Sequence, residues 1–367
     1  MHVLQITPRY FPNIGGVEVV VQKISERLVS RGFDVTVYSV DYNQTLPKKQ
    51  KINGVIVKRF TPLFSDPLYL PTPDFVWSLR REEANIIHAH NVHTLPPSLG
   101  AVCKRKRQRF VLQPHYHRFG QSSLRHSLLS LYRRVINSFV FSNADAIIVN
   151  SLYEKQIFFE DFPKCRNVIL IPEGIDVEEV KRVKHESVEP SRILYVGALR
   201  GYKNVDKILE GFATLVKRGG VDFRLVIVGS GPEYGFLVRR ANELDIAAFV
   251  EWKHGLSREQ LLCEYAWASV LVLLSPLESF SRVVYEALSI GVPTVVLNYG
   301  ATAHLVKKGF AEGVNSLNPE EIADAMLRAM SKKYPKIAED PLTFLSWKTY
   351  VNRIFDLYHR LSETAGS

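Results

Sequence analysis

Cysteine is scarce in this 367-residue chain. Cys103, Cys165 and Cys263 are odd in number and far apart, which excludes a disulfide framework and a C-x-x-C metal or redox site and fits a reducing cytosol. Long apolar runs are lacking too. The longest, Trp267 to Ser275, is far shorter than the ~20 residues of a bilayer span, and Met1 to Phe11 has neither the basic start nor the apolar block of an export signal. Prolines number 19 and glycines 21, with 46% hydrophobic and 23% charged residues, which excludes collagenous, disordered and coiled-coil chains. At ~100–200 residues per domain, the length allows two or three domains with real cores.

One stretch lacks carboxylates altogether. Residues 84–144 contain none, yet carry Lys104, Arg105, Lys106, Arg107, Arg109, Arg118, Arg125, Arg133 and Arg134, nine cations unopposed along the sequence. The net charge of +10 belongs to the first half: residues 1–184 hold 26 Lys and Arg against 16 Asp and Glu, the remainder 21 against 21. Such a block attracts phosphates, anionic headgroups or nucleic acid, and charge alone does not choose among them. Leu124, Leu128, Leu131 or Tyr132, Val135 and Phe139 recur at helical spacing with Arg125, Arg133 and Arg134 between them. That stripe either faces a core or lies on a membrane surface. An anionic membrane contact through residues 104–134, at the inner face of the cell membrane, is one expectation; nucleic acid is not.

Short β-branched runs alternate with segments of helical period throughout, the pattern of parallel sheets wrapped by helices. Strands are expected at Val3–Ile6, Val35–Val40, Val55–Phe60, Ile86–Ala89, Phe110–Gln113, Ala146–Val149 and Val168–Ile171, then at Arg192–Val196, Leu225–Val228, Phe249–Trp252, Val270–Leu274 and Thr294–Leu297. Helices are expected at Gly16–Ser30 and Gln121–Phe141. Two open α/β domains result. The charged, aperiodic stretch Glu173–Ser191 marks their boundary, and the amphipathic Trp347–Leu361 follows a proline-containing stretch and is able to cap either domain.

The most informative stretch, Ser275 to Leu288, begins where a fully apolar strand ends. Ligands of open α/β sheets bind at the carboxyl ends of strands, where the next helix offers free N–H groups. Glu278 and Glu286, eight residues apart, present acceptors suited to sugar or ribose hydroxyls, although by themselves two such glutamates also fit a solvated helix. No Asp-x-Asp pair occurs in the chain, and His88, His90, His93 and His117 lack a carboxylate or thiol to complete a metal site. No metal and no cofactor is expected. Gly229-Ser230-Gly231 lacks the third glycine of a dinucleotide fingerprint; Pro232 is expected to open a helix at its first position.

Ser275 through Gly291-Val292-Pro293 resembles the E-x7-E signature of retaining glycosyltransferases of family 4. Other stretches are similar in the same order: Gly15-Gly16-Val17-Glu18 to the family's N-terminal glycine loop, Ile87 to Asn91 to its histidine strand, and Pro114-His115 to its T-x-H position. Further on, Pro172 to Asp176 resembles its interdomain element, Tyr195 to Lys203 its V-G-R-L-x-x-x-K loop and Val228 to Pro232 its V-G-x-G-P turn. The resemblance implies a GT-B fold of two Rossmann-like domains, with parallel sheets facing across an interdomain cleft. It implies an acceptor-binding domain over 1–172, a donor domain over 173–345, and a C-terminal helix over 346–367 crossing back to the first. It further implies metal-independent transfer from a nucleoside diphosphate sugar to a hydroxyl with net retention.

By that resemblance Lys203, Glu278 and His115 are catalytic. Lys203 offsets charge on the leaving diphosphate, Glu278 meets the donor sugar and His115 lies beside it. Donor contacts fall to Gly15, Gly16, Gly197, Arg200, Gly229, Gly231, Pro232, Ser279, Phe280, Ser281, Arg282 and Glu286, the last accepting from the ribose hydroxyls. Gly15 and Gly16 let backbone N–H groups approach phosphate at a helix start, or form an ordinary turn. Where the family carries an arginine this chain has Ala198, so either Arg200 reaches in or Lys203 acts alone. The expected acceptor is a glycan, glycolipid or sugar phosphate, as in cell-surface polysaccharide or glycolipid assembly. Two rivals remain open: a nucleotide-sugar epimerase of the same architecture, and a non-catalytic sugar- or membrane-binding scaffold. Donor base, sugar and acceptor are not readable from the sequence.

Overall fold

The computed structural model describes residues 1–13, 15–64, 69–118, 136–186, 188–219, 222–335, 337–338, 340 and 342–363. It contains two compact units, Met1–Gly174 with Pro341–Ser367, and Ile175–Asp340. Among the described residues no helix is long and apolar enough to cross a membrane.

The first unit is built on an eight-stranded sheet in the order Lys49–Ile52, Val55–Phe60, Asp34–Val40, His2–Ile6, Ile86–His90, Arg109–Gln113, Ala146–Val149, Val168–Leu170. Its strands run parallel except the first, which pairs antiparallel with Val55–Phe60. Both faces are covered, so the central strands are apolar nearly throughout. On one face the Gly16–Val29 helix buries Val20, Val21, Ile24 and Leu28 against the sheet and against the C-terminal helix Trp347–Glu363. That last helix lays Tyr350, Val351, Ile354, Leu357 and Tyr358 into the same core, and Phe355 meets Phe33 edge-on at 5.5 Å. It thus returns to the N-terminal sheet, as the family resemblance implies.

The second unit carries six parallel strands in the order Val250–Lys253, Phe223–Val228, Ser191–Val196, Val270–Leu273, Thr294–Leu297, Glu312–Val314. Strand order reverses between Ser191–Val196 and Val270–Leu273. Loops leaving two neighbouring strands in opposite senses open a crevice at such a point.

The expected strands are all present within a residue or two, with differences that have local causes. The Lys49–Ile52 strand was not expected because it is a polar edge with no apolar run; its signal is Asn53-Gly54, both at positive φ (47° and 85°), a two-residue hairpin turn. Glu312–Val314 is too short to carry a pattern. Phe249 closes a 3-10 turn, Ala247–Phe249, and the strand begins at Val250. The expected Gln121–Phe141 helix, with Leu124, Arg125, Leu128, Leu131, Tyr132, Arg133, Arg134 and Val135, falls largely outside the described residues; Ser138–Ser142 is helical.

Gly174 lies where the chain leaves the first unit, and a Cβ placed on it would stand 2.6 Å from the Trp347 ring. Gly174→Ala therefore displaces the first residue of the returning helix, with an expected loss of ~1–3 kcal/mol. A lowered urea midpoint reads the effect; an unchanged midpoint would show that Trp347 yields freely.

Candidate functional site

In the second unit the loop after Ser191–Val196 runs through Gly197 to a 3-10 turn, Gly201–Lys203, and to Asn204 in the left-handed region. Neighbouring backbone pins it. Gly197 N donates to Val228 O (3.0 Å), Leu199 N to Ser230 O (2.9 Å) and Glu233 N to Leu199 O (3.2 Å). A Cβ on Gly229 would lie 1.9 Å from Gly197 O, and one on Gly231 2.2 Å from Leu199 O. These two glycines have a packing reason to be glycine: only a bare Cα lets the two loops stack backbone on backbone. Because this turn must close on Leu199 first, Pro232 does not open the helix as expected. The helix is Tyr234–Glu243, with Glu233 as its N-cap.

Across the reversal point, Asn204 Nδ2 donates to Leu274 O (2.7 Å), tying the Lys203 loop to the end of the next strand. Lys203 Nζ there bonds the Glu278 carboxylate, both side chains being 14% exposed. Burial opposes the Lys203 ammonium, but Glu278 and Tyr202 outweigh it and hold its pKa above the ordinary value. The structure thus brings together the lysine and glutamate singled out in the sequence, as an ion pair. Arg200 and Ala198 are exposed.

Beyond Glu278, Phe280 stacks on Tyr285 (centroids 4.7 Å, 11°) and Ser281 precedes the Arg282–Ile290 helix without capping it by its side chain. The first N–H groups of that helix, at Arg282 and Val283, have no intrahelical acceptor. Ser281 is 3% exposed, and its hydroxyl, like that of buried Ser275, has no protein partner. An uncapped helix start beside an orphaned buried hydroxyl suits an anionic, hydroxyl-rich ligand. Glu286, two turns on, is nearly buried and held by Arg258, with Nη2–Oε1 2.9 Å and Nη1–Oε2 3.1 Å; Arg258 Nε also donates to Glu179 (2.9 Å). Burial pulls the Arg258 pKa down, but Glu286 and Glu179 outweigh it and raise the pKa.

The remaining predicted residues belong to the first unit. Gly15 is the extended N-cap of Gly16–Val29. A Cβ on it would meet the Glu18 carboxylate at 2.3 Å, whereas one on Gly16 would meet open space. Glu18 is buried and paired with Arg9 (2.7 Å), so this helix start already faces a carboxylate of its own. His115 is buried at positive φ (48°). Asn150 Nδ2 donates to its Nδ1 (3.1 Å), Gln113 Nε2 to Asn150 Oδ1 (2.7 Å), and Tyr350 OH to Gln113 Oε1 (3.1 Å). Beside it His88 Nδ1 meets Tyr358 OH (2.7 Å) and His90 Nε2 meets Gln5 Oε1 (2.8 Å). Burial, then neighbouring histidines, lower the His88 pKa to about 3 and hold that of His90 well below the ordinary imidazole value, so both rings are neutral.

Sequence reasoning passed over Arg258, Glu179, Asn204, Gln5, Gln113, Asn150 and Glu154. Polar residues inside apolar strands were the available signal for Gln5 and Gln113, since a buried amide needs partners. The nine cations of residues 104–134 also need correction, because sequence-local imbalance is not spatial imbalance. Lys104 and Arg109 pair with Asp145 (2.6 and 3.2 Å), Arg107 with Glu83 (3.3 Å) and Arg118 with Glu160 and Asp161 (2.5 and 3.0 Å). Arg125, Arg133 and Arg134 lie outside the described residues. Among the described residues no group of three or more His, Cys, Asp or Glu side chains is arranged to hold a metal.

Glu154 supports the His115 loop: Oε1 accepts from Tyr116 N (2.5 Å) and Oε2 from Asn150 N (2.6 Å). Burial, helped by Glu173 and opposed by these two N–H groups, pushes its pKa up to about 8. The folded state therefore binds the proton more tightly than the unfolded chain, and the Glu154 contribution to stability falls as pH rises from ~4.5 to ~8. Urea melts of wild type and Glu154→Gln should differ by a gap that narrows over this window. A gap that widens would mean that the carboxylate is the favoured buried form.

The sequence matches Glycosyltransferase Family 4 over residues 14–179 and Glycosyl transferases group 1 over residues 176–341. An uncharacterized glycosyltransferase of Methanocaldococcus jannaschii is 26% identical over 90% of this chain and 89% of its own. N-acetyl-alpha-D-glucosaminyl L-malate synthase of Bacillus anthracis is 24% identical over 85% of each chain. Among solved structures, sucrose-phosphate synthase from Thermosynechococcus elongatus superposes with TM-score 0.75 at 18% identity, covering 100% of both chains. Anabaena HepE in complex with UDP and glucose gives 0.74 at 18%, over 97% of this chain and 98% of that one. Two family matches meeting near residue 176, full-length relatives and the GT-B fold agree: the chain belongs to the group 1/family 4 glycosyltransferases and transfers sugar from a nucleotide-sugar donor.

Proposed function

We propose that this chain moves a hexose from a nucleoside diphosphate sugar to an acceptor hydroxyl with net retention, the second unit binding donor and the first binding acceptor. The observation that carries the reading is the Lys203–Glu278 pair at the strand-order reversal, beside the uncapped start of Arg282–Ile290 and the orphaned Ser281 hydroxyl. A pyrophosphate at that helix start is favoured by the positive end of the helix dipole. Donor hydroxyls replace Lys203 as partners of Glu278, and the released ammonium turns to the diphosphate. As the sugar–oxygen bond breaks, negative charge grows on the leaving phosphate, where Lys203 and the helix dipole stabilise it. The leaving oxygen takes the acceptor proton while the acceptor oxygen bonds the anomeric carbon on the same face, which balances the step and retains configuration.

An anionic acceptor fits the first unit's excess of cations. Curated relatives act in the same direction: their names give phosphatidylinositol mannosides, inositol 3-phosphate and malate as what they build on. A lipid-linked glycan at an anionic membrane is the more specific form of this reading. It is favoured by Trp77 and Val102, 65% and 59% exposed on the contacting helices Pro73–Arg81 and Leu95–Cys103, with Arg80, Arg81 and Lys106 exposed beside them.

Lys203→Ala and Glu286→Ala should each lower kcat/KM for transfer by roughly 100-fold or more, with melting temperatures showing both variants folded. Full activity in either would remove that residue from the site, and incubation of donor alone should yield no isomerised nucleotide sugar. Phosphatidylglycerol vesicles at low salt should co-sediment the chain, high salt should release it, and Trp77→Ala should weaken binding. Equal recovery with neutral vesicles would exclude the anionic-surface reading.

A further inference from the structure

We infer that Arg258 is a positioning residue that holds the Glu286 carboxylate aimed, and so sets how strongly the site distinguishes a donor ribose from a deoxyribose. The inference rests on the reading that Glu286 accepts from the ribose hydroxyls, and it deepens that reading. The family resemblance marks Glu286 but gives it no partner. In the structure its carboxylate is 7% exposed, and a carboxylate so withdrawn from water is costly and free to turn unless a charged or hydrogen-bonding partner meets it.

Arg258 removes that difficulty geometrically. Its Nη1 donates to Glu286 Oε2 at 3.1 Å, and its Nη2 stands 2.9 Å from Oε1 as an ion-pair contact without a hydrogen bond, so one guanidinium faces both oxygens and holds the carboxylate in place. A carboxylate offers about four lone-pair sites; the Nη1 bond takes one, leaving sites on both oxygens for a pair of neighbouring hydroxyls. Arg258 is itself held. It is the first residue of the Arg258–Trp267 helix, which starts with a capping box: Gln260 N donates to Ser257 Oγ (3.2 Å) and Ser257 N to Gln260 Oε1 (2.8 Å). Its Nε donates to Glu179 at 2.9 Å, on the Val177–Arg182 helix that packs against Arg282–Ile290. Three helices thus converge on one guanidinium. Glu179 is 40% exposed, so water screens that link and the contact with the more buried Glu286 is the stronger of the two.

The test measures affinity by titration calorimetry for uridine, guanosine and adenosine diphosphates and for their 2′-deoxy and 3′-deoxy forms. Wild type should prefer the ribose form of the nucleotide it binds. Arg258→Gln should lose roughly tenfold of that preference and raise donor KM by a similar factor with kcat less affected, whereas Arg258→Lys should retain part of it. Glu286→Gln should lose the preference too, and the double variant should lose no more than Glu286→Gln alone, which keeps the result readable if Arg258→Gln alone is unstable. If Glu286→Gln keeps full ribose preference, the ribose reading fails. If Glu286→Gln loses it while Arg258→Gln keeps it, that reading stands and the positioning role is overturned.

Discussion

A carboxylate withdrawn from water needs a cation or hydrogen-bond donors to offset its desolvation, and two nearly buried glutamates of the second unit each meet a cation. Lys203 holds Glu278 and Arg258 holds Glu286. The first pair joins two loops and the second joins a helix start to a neighbouring helix of the same unit, so the ion pairs and the backbone that carries them constrain one another. The Asn204 bond to Leu274 O and the stacked Gly197 and Gly229 loops keep the first pair at the point where strand order reverses. Without such pinning, the long lysine side chain would give up considerable rotamer freedom to meet its partner.

The first unit solves a different problem with different chemistry. At the ends of its central strands the buried polar groups are neutral: Gln5, His88, His90, Gln113 and Asn150 bond one another or Tyr350 and Tyr358 of the returning helix. The C-terminal helix therefore does more than cover apolar surface. It supplies two hydroxyls that strand-end side chains need, because an unpartnered buried donor or acceptor costs about 1–3 kcal/mol. Burial keeps His88 and His90 uncharged, so the floor beneath His115 adds hydrogen-bonding specificity without adding positive charge.

Much of this was legible in the sequence, and what was hidden has a common cause. Strands and motif loops could be read because hydrophobic period and turn chemistry are local. Glu286 could be found by its spacing from Glu278; Arg258 could not, since its bond to Glu286 forms 28 residues away across a helix–helix contact. The cations of residues 104–118 misled for the same reason, because Asp145, Glu83, Glu160 and Asp161 lie outside the stretch that was counted yet reach it in space. The Lys49–Ile52 strand was the exception: its Asn53-Gly54 turn was a local signal, and the polarity of the strand obscured it.

Glycine in a binding motif carries no single meaning, and the motif glycines differ in kind. At Gly229 and Gly231 a side chain would strike a neighbouring carbonyl, so both would be glycine even if no ligand ever approached. At Gly15 a side chain would strike Glu18, and only at Gly16 does the missing Cβ leave open space that a ligand can enter. Ala198 sharpens the point. Its loop is fixed by backbone contacts that do not depend on a side chain at that position, so the turn survives loss of the family's arginine with its geometry intact. Arg200 is exposed, Lys203 is paired with Glu278, and the Arg282–Ile290 helix beyond them starts with no side-chain cap on its dipole.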